Sequence, residues 1–82
     1  MNPISTTEAL AMFSECFMEP VDKLSPDVLR ESIPGWDSMG ALMLIAEIDE
    51  RFQLELSAEE SRGMQSIGDA LVFLKRHGAL SD

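Results

Sequence analysis

The sequence predicts an all-α fold built from three longer helices and one short helix, and three observations support this prediction. Apolar residues recur at the spacing of three and four residues that is typical of an amphipathic helix. Serines at positions 5, 57 and 66 are each followed three residues later by an acid, the pattern that caps a helix N-terminus. No segment shows the strict alternation that is typical of a strand. We therefore expect one domain over residues 1–82, with helices at about residues 5–18, 38–53, 57–62 and 66–77.

The first predicted helix begins with the capping pattern of Ser5 and Glu8. Phe13 and Phe17 follow at helical spacing and are expected to face the core. We expect the helix to end near Met18, because a proline at position 20 disfavours helical geometry in the residue before it.

The connection over residues 20–37 contains three prolines and no clear periodicity. It is long for a small domain, and ordered loops of this length are often functional. Apolar residues that could fix it to the core are Val21, Leu24, Val28, Leu29 and Ile33. Trp36 is expected mainly to fold the connection over the helices, because so large an aromatic side chain buries well. The alternative is that Trp36 lies beside a group attached to the chain, or beside the enzyme that attaches it. The first and last few residues of the chain are expected to fray.

The second predicted helix has two apolar stripes. The broad one is expected to face the core and contains Ala41, Leu44, Ile45, Ile48 and Phe52. The other carries Met39, Met43 and Ala46 with Glu47 and Glu50 along its edge. Methionine suits adaptable contact surfaces, so we interpret this stripe as a docking surface for another protein. The alternative is that both methionines pack beneath the connection.

The short third helix is expected to end at Gly63. The fourth helix carries Ile67 and Leu71, and its last turn is basic, which favours the helix dipole. Gly78 suits the C-cap.

The charge of the chain narrows the possible partners. Fifteen acids against six bases give a net charge of −9, which disfavours nucleic acid and anionic membrane surfaces as partners. Basic patches on other proteins are the natural complement. The longest apolar run, residues 41–46, is too short to cross a bilayer, which takes about 20 residues. With no signal-peptide pattern and one cysteine, we expect a cytoplasmic monomer without a disulfide framework.

Catalysis and metal binding are not expected. A single histidine, His77, and a single cysteine, Cys16, are too few for a nucleophile–base site, so we do not expect an enzyme. No regular calcium-binding loop is present in the sequence, and a cysteine-rich zinc site is impossible.

Ser38, which follows Asp37 at the start of the second helix, has two interpretations. One of these two residues could simply cap the helix, with a contribution of about 1 kcal/mol. Alternatively, Ser38 could be modified by another enzyme, because a helix N-terminus tolerates an added phosphate well. Spacing alone favours the cap.

The segment "GWDSMGALMLIAEIDERF" resembles the signature of the acyl carrier protein family, in which a Gly-x-Asp-Ser-Leu/Met turn starts the second helix of a four-helix bundle. The following "FQLEL" is similar to the family's segment leaving that helix, and "SIGDAL" to the start of its fourth helix. The resemblance covers nearly the whole chain in the same order and spacing. It implies the family's four-helix bundle, with a long connection between the first two helices.

The resemblance also implies a function. The serine matching Ser38 receives 4′-phosphopantetheine from coenzyme A through a phosphopantetheinyl transferase, and the aspartate matching Asp37 supports that Mg²⁺-dependent transfer. The arm then carries acyl groups as thioesters between acyl-loading, condensing or acyl-transfer enzymes. The expected docking residues are Met39, Met43, Ala46, Glu47, Asp49 and Glu50.

The subclass is less defined. Many fatty-acid carriers have acids at the positions of Gly40 and Met43, which favours a specialised carrier for a polyketide-like, modified-lipid or other secondary pathway. The "DSMG" run also resembles D-alanyl carriers, which rank second. Peptidyl carriers rank third, because their Gly-Gly-x-Ser sequence around the modified serine is absent here. Leu44, Ile45, Ile48 and Leu71 could line a shelter for an acyl chain, or be ordinary core. The alternative function class is an unmodified acidic helical interaction module.

Overall fold

In the computed structural model, which describes residues 2–82, the chain forms four α-helices. They are α1 (Thr6–Phe17), α2 (Ser38–Phe52), α3 (Ala58–Gly63) and α4 (Ile67–Arg76). The described residues contain no strand, only two isolated bridges between single residues. The predicted all-helical architecture of three longer helices and one short helix is confirmed.

The core lies where α1, α2 and α4 bury their apolar faces together. Its largest fully buried side chains are Phe13, Phe17, Phe52, Met12, Leu44, Ile48, Leu56, Ile67 and Leu74. On α2, the predicted core face is buried at Leu44, Ile48 and Phe52, whereas Ala41 and Ile45 are only partly buried. Helical periodicity therefore identified the centre of the face correctly and its edges less well.

Serine caps begin three of the four helices, but only one is a complete capping box. In α1 the Ser5 side chain accepts from the Glu8 backbone N–H, and the Glu8 carboxylate accepts from the Ser5 N–H. Ser66 caps α4 alone, because the Asp69 carboxylate accepts instead from the Gln65 N–H at 2.8 Å. The predicted boxes at α3 and α4 are thus wrong in their second half. At α3, the Glu60 carboxylate meets the hydroxyl of Ser57, not its backbone.

The two longest helices, α1 and α2, are each followed by a residue in the left-handed backbone region. Met18 follows α1 with φ 55°, and Gln53 follows α2 with φ 51°. Such positions usually hold glycine, which has no Cβ to clash with the neighbouring carbonyl. At the end of α4 the predicted glycine is present, since Gly78 has φ 74°.

The α1–α2 connection is ordered by backbone hydrogen bonds that the sequence did not predict. It contains two short 3₁₀ helices, Val21–Lys23 and Arg30–Ser32. It is also joined to the start of α4, because the N–H groups of Ile67 and Gly68 donate to carbonyls in the connection at 3.0 and 2.8 Å. Of the apolar residues expected to fix it, Leu24 and Ile33 are buried, whereas Val21 and Leu29 are exposed.

Residues near the two ends of the described chain are paired, so the prediction that the first and last few residues fray is wrong for them; Met1 lies outside the described residues. Ile4 forms a parallel bridge with Leu80, with the Ile4 N–H donating to Ala79 O and the Ser81 N–H donating to Ile4 O. The Asp82 carboxylate also accepts from the backbone N–H and the hydroxyl of Thr6, at 2.8 and 3.0 Å. The Thr6–Asp82 contacts join residues 76 positions apart, which local patterns cannot reveal.

Within residues 2–82, no helix has the length and apolar character needed to cross a membrane. The longest, α2, has 15 residues, against about 20 for a typical span.

Candidate functional site

Ser38 is the first residue of α2, and its side chain is exposed. The helix is capped by the preceding residue, because Asp37 Oδ1 accepts from the backbone N–H of Gly40 at 3.0 Å. Among the hydrogen bonds of residues 2–82, none uses the Ser38 hydroxyl. The question that the sequence left open is therefore answered in favour of Asp37 as the cap, and the serine hydroxyl projects without a structural role.

The turn before Ser38 is packed backbone against backbone. A Cβ on Gly35 would lie 1.6 Å from the carbonyl oxygen of Phe17, and a Cβ on Gly40 would lie 2.1 Å from that of Gly35. Both contacts are shorter than any real Cβ makes, so neither position can hold a side chain without movement of the backbone. This approach fixes the start of α2 against the end of α1.

Trp36 fills the remaining space at this turn. Its side chain is only 3% exposed and stacks on Phe17 with ring centroids 4.6 Å apart. The Arg30 guanidinium lies over the Trp36 ring, 5.2 Å from the ring centroid. The favoured structural interpretation of Trp36 agrees with these contacts.

Arg30 also ties the connection to α3. Its Nη1 donates to Ser61 O at 3.1 Å and to Met64 O at 3.5 Å, and its Nε donates to Trp36 O at 3.5 Å. No local pattern predicts this role, because Ser61 and Met64 lie 31 and 34 residues away in the sequence.

The first turn of α2 has unused hydrogen-bond donors beside Ser38. The described chain supplies an acceptor for the N–H of Gly40 and of Ala41, but none for those of Ser38 and Met39. Free N–H groups at a helix N-terminus, together with the helix dipole, favour an anion. The first turn of α2 therefore favours negative charge beside Ser38.

The outward face of α2 is apolar over its first two turns. The exposed fractions of Met39, Leu42 and Met43 are 69, 61 and 48%, and Ala46 is exposed as well. Neither methionine packs beneath the connection. Leu42 was missing from the predicted stripe, although its spacing from Met39 and Ala46, three and four residues, could have identified it.

The acids along this face differ in their surroundings. Glu47 forms an ion pair with Arg51, whose Nε donates to Glu47 Oε2 at 2.9 Å. Arg51 also forms a longer ion pair, in which its Nη2 lies 3.7 Å from Glu15 Oε1. Asp49 and Glu50 are exposed and take no part in the ion pairs found among residues 2–82. Of the predicted acids, these two carry charge that a partner can use.

Two of the surface clefts that border α3 lie close to α2 or to the α1–α2 connection. One, of about 470 Å³, opens between α2 and α3 beside Leu42, Ile45 and Leu56. The other, of about 580 Å³, lies between residues 29–36 and residues 62–65. Leu44, Ile48 and Leu71, which could have lined an acyl shelter, are buried in the core, and only Ile45 borders the first cleft.

The lone thiol and the lone imidazole take no part in this site. Cys16 is buried, and burial, followed by the nearby Glu47 carboxylate, raises the pKa of its thiol to about 11. The His77 ring packs against Phe73 of α4, with ring centroids 4.5 Å apart and the ring planes tilted by 46°. No group of three or more potential metal ligands occurs in the part of the chain that the structure describes.

Comparison with protein-family models gives no match for this chain.

Proposed function

We propose that this protein is a carrier that bears 4′-phosphopantetheine on Ser38 and delivers acyl groups between enzymes. One observation carries the proposal: Ser38 presents an exposed, unengaged hydroxyl at the N-terminus of α2, while Asp37 takes over the capping. If the serine served only as a cap, its hydroxyl would be the group that accepts the Gly40 N–H. The resemblance of residues 35–52 to the carrier signature supports the same assignment.

The residues around Ser38 fit the group. The unpaired N–H donors of Ser38 and Met39 suit the phosphate that would join the arm to the serine. Asp37 uses Oδ1 for the cap, and the described hydrogen bonds leave its Oδ2 free to support the Mg²⁺ of the transfer reaction. When bound, the group supplies a thiol on a flexible arm that holds acyl groups as thioesters.

The proposed partners are a phosphopantetheinyl transferase and acyl-loading, condensing or acyl-transfer enzymes with basic docking patches. Met39, Leu42 and Met43 form an apolar centre, and Asp49 and Glu50 supply charge at its edge. We call these five residues the α2 docking surface. A small apolar centre with a charged rim favours weak, salt-sensitive encounters, which a shuttle requires.

The test is the intact mass of the chain before and after incubation with coenzyme A, Mg²⁺ and a broad-specificity phosphopantetheinyl transferase. We expect the mass to rise by one phosphopantetheine in the parent chain and to stay unchanged in Ser38→Ala. Ser57→Ala is the matched control, because it removes another exposed serine at a helix N-terminus but leaves Ser38 in place. It is expected to load like the parent.

An unchanged mass in a folded parent chain that carries no prior modification would contradict the carrier proposal. It would favour the second candidate, an acidic interaction module that uses the α2 docking surface without an arm. The observation that favours this candidate is the apolar exposure of Met39, Leu42 and Met43, which requires no modification of Ser38. Whether the cargo is an acyl, D-alanyl or peptidyl group is a property of the loading enzyme.

A further inference from the structure

The cleft between the connection and the α3–α4 link has a composition unlike the rest of the surface. Two of the six lysine and arginine residues of the chain, Arg30 and Arg62, line it, against one acid, Glu31. Its other walls are mainly apolar and include Ile33, Trp36 and Met64. On a chain with a net charge of −9, this is a local site of positive charge with an apolar floor.

Two donor groups that border this cleft have no acceptor within residues 2–82. Arg30 is half-buried and held by backbone carbonyls, and no carboxylate neutralises it, because both ion pairs of the described chain belong to Arg51. Its Nη2 has no partner among residues 2–82. The Trp36 Nε1–H is fully buried and also has no acceptor. A guanidinium that is partly removed from water and held in one orientation is a strong site for a carboxylate.

The size of the cleft restricts what can enter it. About 580 Å³ lies within the range of small-molecule sites, roughly 300–1,000 Å³. Apolar walls around a few fixed polar groups favour a ligand with an aliphatic body and a single anionic end.

We propose that this cleft binds a short aliphatic chain ending in a carboxylate, with the carboxylate at Arg30 and Arg62. The aliphatic chain would lie against the exposed Leu29 and Pro34, above the almost fully buried Ile33, Trp36 and Met64. Two sources offer this chemistry. One is a free carboxylate in solution. The other is an acyl group with a distal carboxylate, attached at Ser38, which follows Trp36 by two residues; this second source rests on the proposed function, and the first does not.

The first arm of the test uses hexanoate and hexanamide, which differ in the charge of one end, as probes of the unmodified chain. Trp36 is the only tryptophan in the sequence, so tryptophan fluorescence and the indole N–H signal in NMR come from one residue, which borders this cleft. We expect hexanoate to shift both signals saturably, with an affinity about tenfold higher than that of hexanamide, as a charge-assisted hydrogen bond implies.

Two variants locate the carboxylate. Arg62→Gln is expected to weaken hexanoate binding about fivefold, because an exposed guanidinium contributes modestly. Lys75→Gln makes the same change in net charge, but on an exposed residue outside the cleft. It is expected to leave the affinity for hexanoate nearly unchanged. Arg30 is not replaced, because its loss would release the connection from α3. If Arg62→Gln and Lys75→Gln lost the same affinity for hexanoate, the binding would reflect general charge attraction, and the proposal would be overturned.

The second arm uses chains loaded enzymatically with adipoyl- or hexanoyl-phosphopantetheine. If the tethered source applies, the adipoyl chain shifts the Trp36 signals more than the hexanoyl chain does, and Arg62→Gln reduces this difference. If Ser38 accepts no arm, the proposed function fails. The free probes alone then decide whether the cleft binds an aliphatic carboxylate. The proposal would be overturned if two results were found together. The first is that hexanoate and hexanamide bind alike or do not bind, and the second is that the adipoyl and hexanoyl chains give the same Trp36 signals.

Discussion

The two faces of α2 have nearly the same kinds of residue and opposite surroundings. Leu44 and Ile48 are fully buried in the core, whereas Leu42 and Met39, on the same helix, expose 61 and 69% of their surface. Hydrophobicity alone therefore does not distinguish a residue that stabilises the fold from one available to a partner. Position around the helix axis does, because only one face meets α1 and α4.

The largest expected effect separates these faces directly. Leu44→Ala is expected to lower the free energy of unfolding by about 3 kcal/mol, because it removes buried methyl groups and leaves a cavity. Leu42→Ala is expected to change it by less than about 0.5 kcal/mol, since its side chain is mostly in water already. Urea denaturation followed by circular dichroism measures both. Similar losses in the two variants would contradict the division of α2 into two faces.

A second comparison concerns the start of α2. Gly40→Ala is expected to destabilise the fold by about 2 kcal/mol, because the added Cβ meets the Gly35 carbonyl and forces the turn away. Gly63→Ala, on α3, has no atom within 4 Å of its new Cβ and is expected to stabilise by about 0.5 kcal/mol through helix propensity.

Thermal denaturation of both glycine variants checks the pair. An unchanged midpoint for Gly40→Ala would show that the turn before Ser38 is not held by the close approach of the two glycines. A lower midpoint for Gly63→Ala would show that α3 tolerates substitution less well than its open surroundings indicate.

The smallest expected effect distinguishes two adjacent residues. Asp37→Ala should cost about 1 kcal/mol of stability, because the Gly40 N–H loses its acceptor. Ser38→Ala should cost almost nothing, since its hydroxyl makes no hydrogen bond in the described chain. Denaturation curves of the two variants, with Asp37→Asn as a cap-preserving control, test the assignment. A larger loss for Ser38→Ala would reverse it.

Local patterns predicted the helices because their causes are local. Ser5, Ser57 and Ser66 each cap a backbone N–H three residues away, so a short stretch of sequence contains the whole interaction. The choice between Asp37 and Ser38 was not predictable, because both residue types cap helices well and only the geometry of the turn selects one.

Long-range contacts account for what the sequence did not predict. The order of the connection depends on Val28 and Pro26 carbonyls that accept from α4, and the cleft depends on Arg30 facing residues 61–64. Neither partner is marked in the sequence around these residues. The exposed apolar face of α2 was predicted in outline, but Leu42 was missed, because the sequence analysis assigned it to neither stripe.

The pairing of Ile4 with Leu80 has a consequence for protein engineering. With the Ser81 N–H 2.8 Å from the Ile4 carbonyl oxygen, the two ends of the described chain already lie side by side. A short peptide could join them into a ring without displacing a helix, and the closed chain would have fewer unfolded conformations to lose on folding. The same proximity makes circular permutation feasible, so that new termini could be opened far from Ser38 while the order of helices in space is kept.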